Sequence, residues 1–389
     1  MSFLIRILLA ACATAAAAQP APIVVGAVVS ETGALAALAT DYRKGLLLWQ
    51  EQVNGAGGLL GRSVELRLRD DGSDAVRAGQ LYRELIRDDK PDLLIGPFGS
   101  AATLMAGAEA ERARRVLING AGASQTVHRR GTRYMFQSAI PNAAYGDGVV
   151  EVARSANLRK LFILARDDLT SREMAQAARD AALKRGLEAA ELVLYSGATH
   201  DFTAQIEKAR AAGAEAWIAF GGLRDTVDMV RSMKKELYAP PLFFSRSNAE
   251  PKLLSLIGQD AEFSVGATEY EPRFATSGNE AFVSAFRARW SAAPGAIAAH
   301  GYAAGTVLAE GVRRAGTLDQ DKLRAALAQL ETNTVLGGYK VDPESGAQLA
   351  AKPAIVQILR GRPEVLWPEW LQTATLEAYV PWGERRLLE

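Results

Sequence analysis

The sequence predicts an α/β protein built as two Rossmann-like lobes, each with an open parallel sheet, joined by a hinge that the chain crosses several times. Three observations lead there. The chain has 389 residues, more than one globular unit at roughly 150 residues per domain. A strand-helix alternation begins after Pro20 and Pro22 and restarts near residue 159. Helices and short extended pieces then return after both lobes are complete, as they do when a chain crosses back between lobes.

In the first run, Ile23 to Val29 is continuously apolar, the pattern of a strand covered on both faces. Leu46, Trp49 and Val53 recur at helical spacing, and Gly55-Ala56-Gly57-Gly58 stops that helix. Val64 to Leu68 alternates as a strand does, and Leu81, Tyr82, Leu85 and Ile86 form one helical stripe. Leu93 to Gly96 and Val116 to Ile118 are short buried strands. In the second run, Lys160 to Ala165, Glu191 to Tyr195, Ala216 to Phe220 and Pro241 to Phe244 read as strands. Between them lie helices: one with Met174, Ala178, Ala181 and Ala182 facing inward and ended by Gly186, then Phe202 to Ala212 and Thr226 to Lys235. From Glu280 the pattern turns helical, through Phe282, Ala285 and Phe286, Tyr302 to Val312, and Leu323, Leu327 and Leu330. Short extended pieces follow, punctuated by Asp342-Pro343-Glu344-Ser345-Gly346 and Arg360-Gly361-Arg362-Pro363.

Lys and Arg number 45 against 44 Asp and Glu, so no basic field invites nucleic acid and no acidic tail is present. With 49% hydrophobic residues, the chain has enough apolar surface to offset the entropy of ordering a large core. Residues 1–18 read as a targeting segment, with Arg6, the apolar stretch Ile7 to Ala15, and the small residues Ala16-Ala17-Ala18 before Gln19. Leu9-Ala10-Ala11-Cys12 also fits the pattern at which a bacterial lipoprotein is cut and lipidated on Cys12, and a buried N-terminal helix is a third reading. Removal of the segment leaves 389 − 18 = 371 residues without cysteine, held by the core alone.

Enzyme signatures are missing. The first strand-to-helix turn, Gly26-Ala27-Val28-Val29-Ser30-Glu31-Thr32-Gly33, is not a dinucleotide fingerprint, and no P-loop pattern occurs. His128, His200 and His300 stand far apart, without metal-ligand spacing, and each reads as a surface or cap residue. No cofactor is expected. Phe98-Gly99-Ser100-Ala101-Ala102 is not a nucleophile elbow. At the end of a strand, Gly99 lets a ligand approach the backbone, while Ser100 and the amides after it form a helix N-terminus suited to a carboxylate; a plain N-cap role for Ser100 is the alternative. Asn119-Gly120-Ala121-Gly122-Ala123-Ser124 is a second small-residue turn expected at the same carboxyl edge, where open α/β sheets bind ligands.

Across about residues 22 to 368 the sequence resembles the type I periplasmic solute-binding proteins, in the branch of the leucine/isoleucine/valine-binding protein. The resemblance rests on Ser30 to Ala36, Val53 to Gly61, Asp70 to Asp74, Leu94 to Ser100, Asp201-Phe202-Thr203, Phe220-Gly221-Gly222 and Gly301 to Ala304. It implies an exported, non-enzymatic bacterial protein that closes on a small carboxylate ligand and hands it to an ABC transporter permease in the inner membrane. It also implies a monomer in the periplasm that binds no nucleic acid; a sensor module presenting its closed form to a receptor is the alternative. The lobes are expected at 22–140 with 270–336 and at 141–269 with 337–389. By position, Ser100 and Ala121 to Ala123 match the family's carboxylate clamp, and Leu38 matches a position that is often aromatic. Leu169-Thr170, Gly222-Leu223 and Arg246-Ser247 fall on the closing loops of the second lobe.

This chain departs from its relatives in chemistry. A threonine hydroxyl of branched-chain binders is replaced by Ala123, with Ser124 adjacent. Their ammonium-binding acid is replaced by Arg246 or Ser247, with Glu250 the nearest carboxylate, and their tyrosines are missing at Thr170 and Leu223. Arg246 is expected either to face the cleft, where it disfavours an ammonium, or to turn to solvent or pair with Glu250.

Overall fold

The computed structural model describes residues 20–128, 132–189 and 192–382. The targeting segment with Cys12 lies outside them, as do Glu191, the expected start of a strand, and residues 383–389.

The first lobe is a five-stranded parallel sheet in the order β2-β1-β3-β4-β5. Its elements are β1 (Ile23–Val29), α1 (Ala36–Gly55), β2 (Val64–Asp70), α2 (Ala75–Glu84), β3 (Leu93–Ile95), α3 (Ser100–Arg112), β4 (Leu117–Asn119) and β5 (Met135–Gln137). β1 is almost wholly buried because it pairs with β2 on one side and β3 on the other, with helices over both faces. β5 carries no readable period: three buried residues are too few to separate strand from helix.

The second lobe follows with α4 (Ala143–Ser155), β6 (Lys160–Arg166), α5 (Leu169–Lys184), β7 (Glu188–Ala189), β8 (Val193–Tyr195), α6 (Thr203–Ala211), β9 (Ala216–Phe220), α7 (Leu223–Lys235), β10 (Leu242–Ser245), α8 (Pro251–Ile257) and β11 (Val265–Thr268). Strands β6 to β11 run parallel. The chain then returns to the first lobe as α9 (Asn279–Trp290), α10 (Ala296–Ala315), α11 (Gln320–Ala328) and the hairpin β12 (Thr332–Thr334) and β13 (Gly337–Tyr339). Val307, Leu308, Val312, Leu323, Leu327, Tyr339 and Val341 join the core beneath β1. A last crossing adds β14 (Ala354–Leu359) and β15 (Arg362–Trp367) antiparallel to the edge of the second sheet. That sheet is therefore a parallel core with an antiparallel border, a common form of large α/β sheets.

Candidate functional site

In a parallel sheet every strand ends on the same edge, so the strand-to-helix turns collect there. Here α1, α3, α5 and α7 each begin directly after β1, β3, β6 and β9. Leu38 lies in the first turn of α1, while Ser100, Leu169 and Leu223 are the first residues of α3, α5 and α7. These residues therefore stand at strand-end turns, as the sequence pattern places them, and the two edges face each other. Asn142 N donates to Ala123 O at 3.0 Å, Ser124 Oγ donates to Glu173 Oε1 at 2.7 Å, and Asn142 Nδ2 donates to Glu173 Oε2 at 3.0 Å.

On the first lobe, Gly99 has φ 91°, a left-handed conformation that a side chain resists. Ser100 does not cap its own helix. Its hydroxyl instead accepts from Ser124 N at 3.1 Å, which ties the two small-residue turns together and leaves its proton free to donate. The first intrahelical bond of α3 is Thr103 N to Gly99 O, at 3.0 Å, so the amides of Ser100, Ala101 and Ala102 precede any helical acceptor. Phe98 makes a β-bridge to Ala121 and lies 6.3 Å from the Tyr42 ring, an aromatic wall beside the turn. The preceding loop is pinned by the end of β2. Asp70 Oδ1 accepts from Glu31 N at 2.9 Å and Gly72 N at 2.9 Å, contacts that hold its carboxyl below the usual range.

The second turn is more occupied than the sequence suggests. Gly122 N donates to Asn119 Oδ1 at 2.7 Å, and Ser124 N is engaged by Ser100, so Ala121 and Ala123 are the remaining amide candidates there. On the second lobe, Gly222 N donates to Asp225 Oδ2 at 3.0 Å. Ser247 is buried, with its hydroxyl directed at Gly221 O at 3.4 Å. Gly222 and Ser247 therefore shape the loop instead of presenting donors. Leu38, Leu169 and Thr170 are exposed, and Leu223 is half-buried.

Arg246 neither turns to solvent nor pairs with Glu250. Its guanidinium carbon lies 5.5 Å from the Tyr145 ring centroid, and its Nε is buried without a hydrogen-bond partner. Burial opposes its charge, but the Tyr145 phenol and the Glu269 carboxylate raise its pKa overall. Glu269 itself accepts from Tyr145 Oη at 2.6 Å and meets His300 Nε2 at 2.9 Å. His300 Nδ1 faces Gly120 O at 3.1 Å. Carbonyl and carboxylate only accept, so each ring nitrogen of His300 faces an acceptor. Burial pulls the Glu269 pKa up, yet the His300 charge, the hydrogen bonds from His300 and Tyr145, and Arg246 bring it down to about 2.

This corrects the reading of His300, which is buried at the junction. His128 is the C-cap of a short 3-10 helix, Gln125–Val127, and is buried with Nδ1 3.0 Å from Ser345 O, and His200 is exposed as expected. Tyr145, Glu173, Glu269 and His300 were all missed by the sequence reading. None sits in a motif, and a helix position such as Glu173, four residues after Leu169, looks like any solvated acid. Among the described residues no cluster of His, Cys, Asp and Glu could hold a metal.

A family model described as periplasmic binding protein matches residues 22–362, and the family consists of solute-binding proteins, not enzymes. A relative from Pseudomonas aeruginosa, named amino acid binding protein, is 27% identical and covers 85% of this chain and 88% of its own length. An ABC transporter substrate-binding protein from Sphaerobacter thermophilus superposes with a TM-score of 0.74 at 24% identity, over 87% of this chain and 94% of its own. A solute-binding protein from R. palustris, solved in complex with benzoate, superposes with a TM-score of 0.68 at 19% identity, over 92% of this chain and 97% of its own.

Proposed function

This chain belongs to the periplasmic binding protein family, and we propose that it is the substrate-binding protein of an ABC transporter. In this reading it captures a small carboxylate-bearing solute, an amino acid or a related acid, between the lobes and delivers it to a membrane permease. The observation that carries the reading is the opposed pair of strand-end edges, with the open amides of α3 and the free Ser100 proton on one side. An amino acid is what the Pseudomonas relative is named for, and benzoate is what the R. palustris protein holds; both carry the carboxylate such a turn suits.

The expected lobe bounds, 22–140 with 270–336 and 141–269 with 337–389, are kept except for residues 337 to about 346, which go with the first lobe: Tyr339 and Val341 lie in its core and Gln137 N donates to Gly346 O at 2.8 Å. Residues 1–18 serve as the export signal; the alternative is a cut before Cys12, which then carries the lipid of a membrane-anchored form.

Two measurements test the proposal. A panel of amino acids, aromatic acids and dicarboxylates, screened by thermal shift, should contain a stabilising compound; at 100 times its Kd it adds about 2.7 kcal/mol. Small-angle scattering with that compound should show a smaller radius of gyration, because contacts to both lobes exist only when the cleft closes. No stabilising acid, or an unchanged radius, overturns it.

Ser100→Ala separates binding from structure. Loss of a hydrogen bond to a charged group should weaken ligand binding by about 1.5–3 kcal/mol. The lost acceptor for Ser124 N should lower stability by only about 1 kcal/mol. Titration calorimetry and denaturation of the same variant read the two effects, and unchanged affinity removes Ser100 from the clamp.

A further inference from the structure

We infer that Arg246 is a specificity-determining residue that selects small organic acids lacking an ammonium group, an inference that rests on the cleft being a carboxylate site. The reason is a census of donors and acceptors around the junction. An ammonium brings only donors, so it is best served by an acid whose oxygens and charge are not already shared with other donors. Glu173 has one oxygen on Ser124 Oγ at 2.7 Å and the other on Asn142 Nδ2 at 3.0 Å. Glu269 has one on Tyr145 Oη at 2.6 Å and the other against His300 Nε2 at 2.9 Å. The acids at the strand ends are likewise engaged: Asp168 caps α5 through Ser171 N at 2.9 Å, and Asp225 accepts from Gly222 N at 3.0 Å. Glu250 is the exception, with no hydrogen-bond donor on its carboxylate among the described residues, but its charge already acts on the Arg246 guanidinium, so an ammonium would compete with Arg246 for it.

What remains open on this side is a donor. Arg246 has its Nε buried without a partner and stacks on Tyr145, while Glu269, a carboxylate whose charge acts on it, already contacts Tyr145 Oη and His300 Nε2. A ligand ammonium placed here would face the Arg246 guanidinium and would have to share the oxygens of Glu173, Glu250 or Glu269 with groups already acting on them. A ligand oxygen would instead complete a charge-assisted hydrogen bond. Ser100 and the α3 amides on the opposite lobe are also donors, so the cleft as a whole asks for acceptors at both ends.

The test uses matched pairs that differ only in the ammonium: phenylalanine with 3-phenylpropanoate, and glutamate with glutarate. Titrated into the wild-type protein, the ammonium-free member of at least one pair should bind at least tenfold more tightly. Arg246→Ala should weaken that acid at least tenfold, and Arg246→Glu should shift preference toward the amino acid. Arg246→Lys, which keeps the charge but not the fork, should fall between wild type and alanine, and it serves as the probe if the alanine variant does not fold. An amino acid that binds the wild type as tightly as its partner, with Arg246→Ala neutral, overturns this inference and leaves the carboxylate site standing. No heat from either pair or from any acid of the screening panel overturns the carboxylate site itself, and the inference with it.

Discussion

Glu269→Gln should destabilise the protein by about 3–5 kcal/mol, the range for removing one partner of a buried charged pair. The carboxylate meets His300 Nε2 on one oxygen and the Tyr145 phenol on the other, and it supports the Arg246 charge. An amide keeps the shape and the Tyr145 bond. It removes the negative charge that supports Arg246 and that meets His300 Nε2. The pH dependence is set by the native pKa of about 2 against the ordinary 4.5, a difference worth on the order of 3 kcal/mol. Because the native value is the lower one, this stability is complete above pH 4.5 and is lost as the pH falls through 2. Chemical denaturation of both proteins should therefore show a wide gap at pH 7 that narrows below pH 4.5. A gap that is small at pH 7, or constant down to pH 2, would mean that Glu269 is not a charged partner at the junction.

Gly301→Ala should cost about 3 kcal/mol or more, at or beyond the upper end of overpacking. Gly301 sits where α10 crosses α1, and an added methyl carbon would lie 2.2 Å from Tyr42 O and 3.2 Å from Leu46 N. Both neighbours are main chain, so no side chain can swing aside. The helices would have to separate, and the adjacent His300 would be drawn off Glu269. Gly55→Ala is the control: it lies at the end of α1 with nothing within 4 Å of the new carbon. There alanine should be neutral or stabilise by up to about 1 kcal/mol. Equal denaturation midpoints for Gly301→Ala and wild type would sink the close-crossing account.

The two substitutions also mark what could be read in advance. Gly301-Tyr302-Ala303-Ala304 stands out in the sequence and carries part of the family resemblance, and its small residues signal close packing. Glu269 follows β11 in a stretch with no motif. Its role comes from Tyr145, 124 positions away, and His300, 31 positions away.

By itself the sequence determined the alternation of strands and helices, the two lobes, the return of the chain between them and the strand-end turns that carry Ser100, Ala121, Leu169, Leu223 and Arg246. These are consequences of local geometry: hydrophobic period and helix starts and stops act over a few residues, and parallel sheets put all such turns on one edge. Only the tertiary structure decided which groups on those turns are open. Gly122, Ser124 and Gly222 have their amides engaged, Ser247 is buried, and Glu173 and Glu269 have both oxygens taken, while Arg246 is left with a donor. Each outcome depends on which long-range partner arrives once the sheets pack and the lobes meet. A hydrogen-bonding group in a sequence shows what it can do; whether it is free to do so depends on neighbours that only the closed chain brings within 3 Å or so.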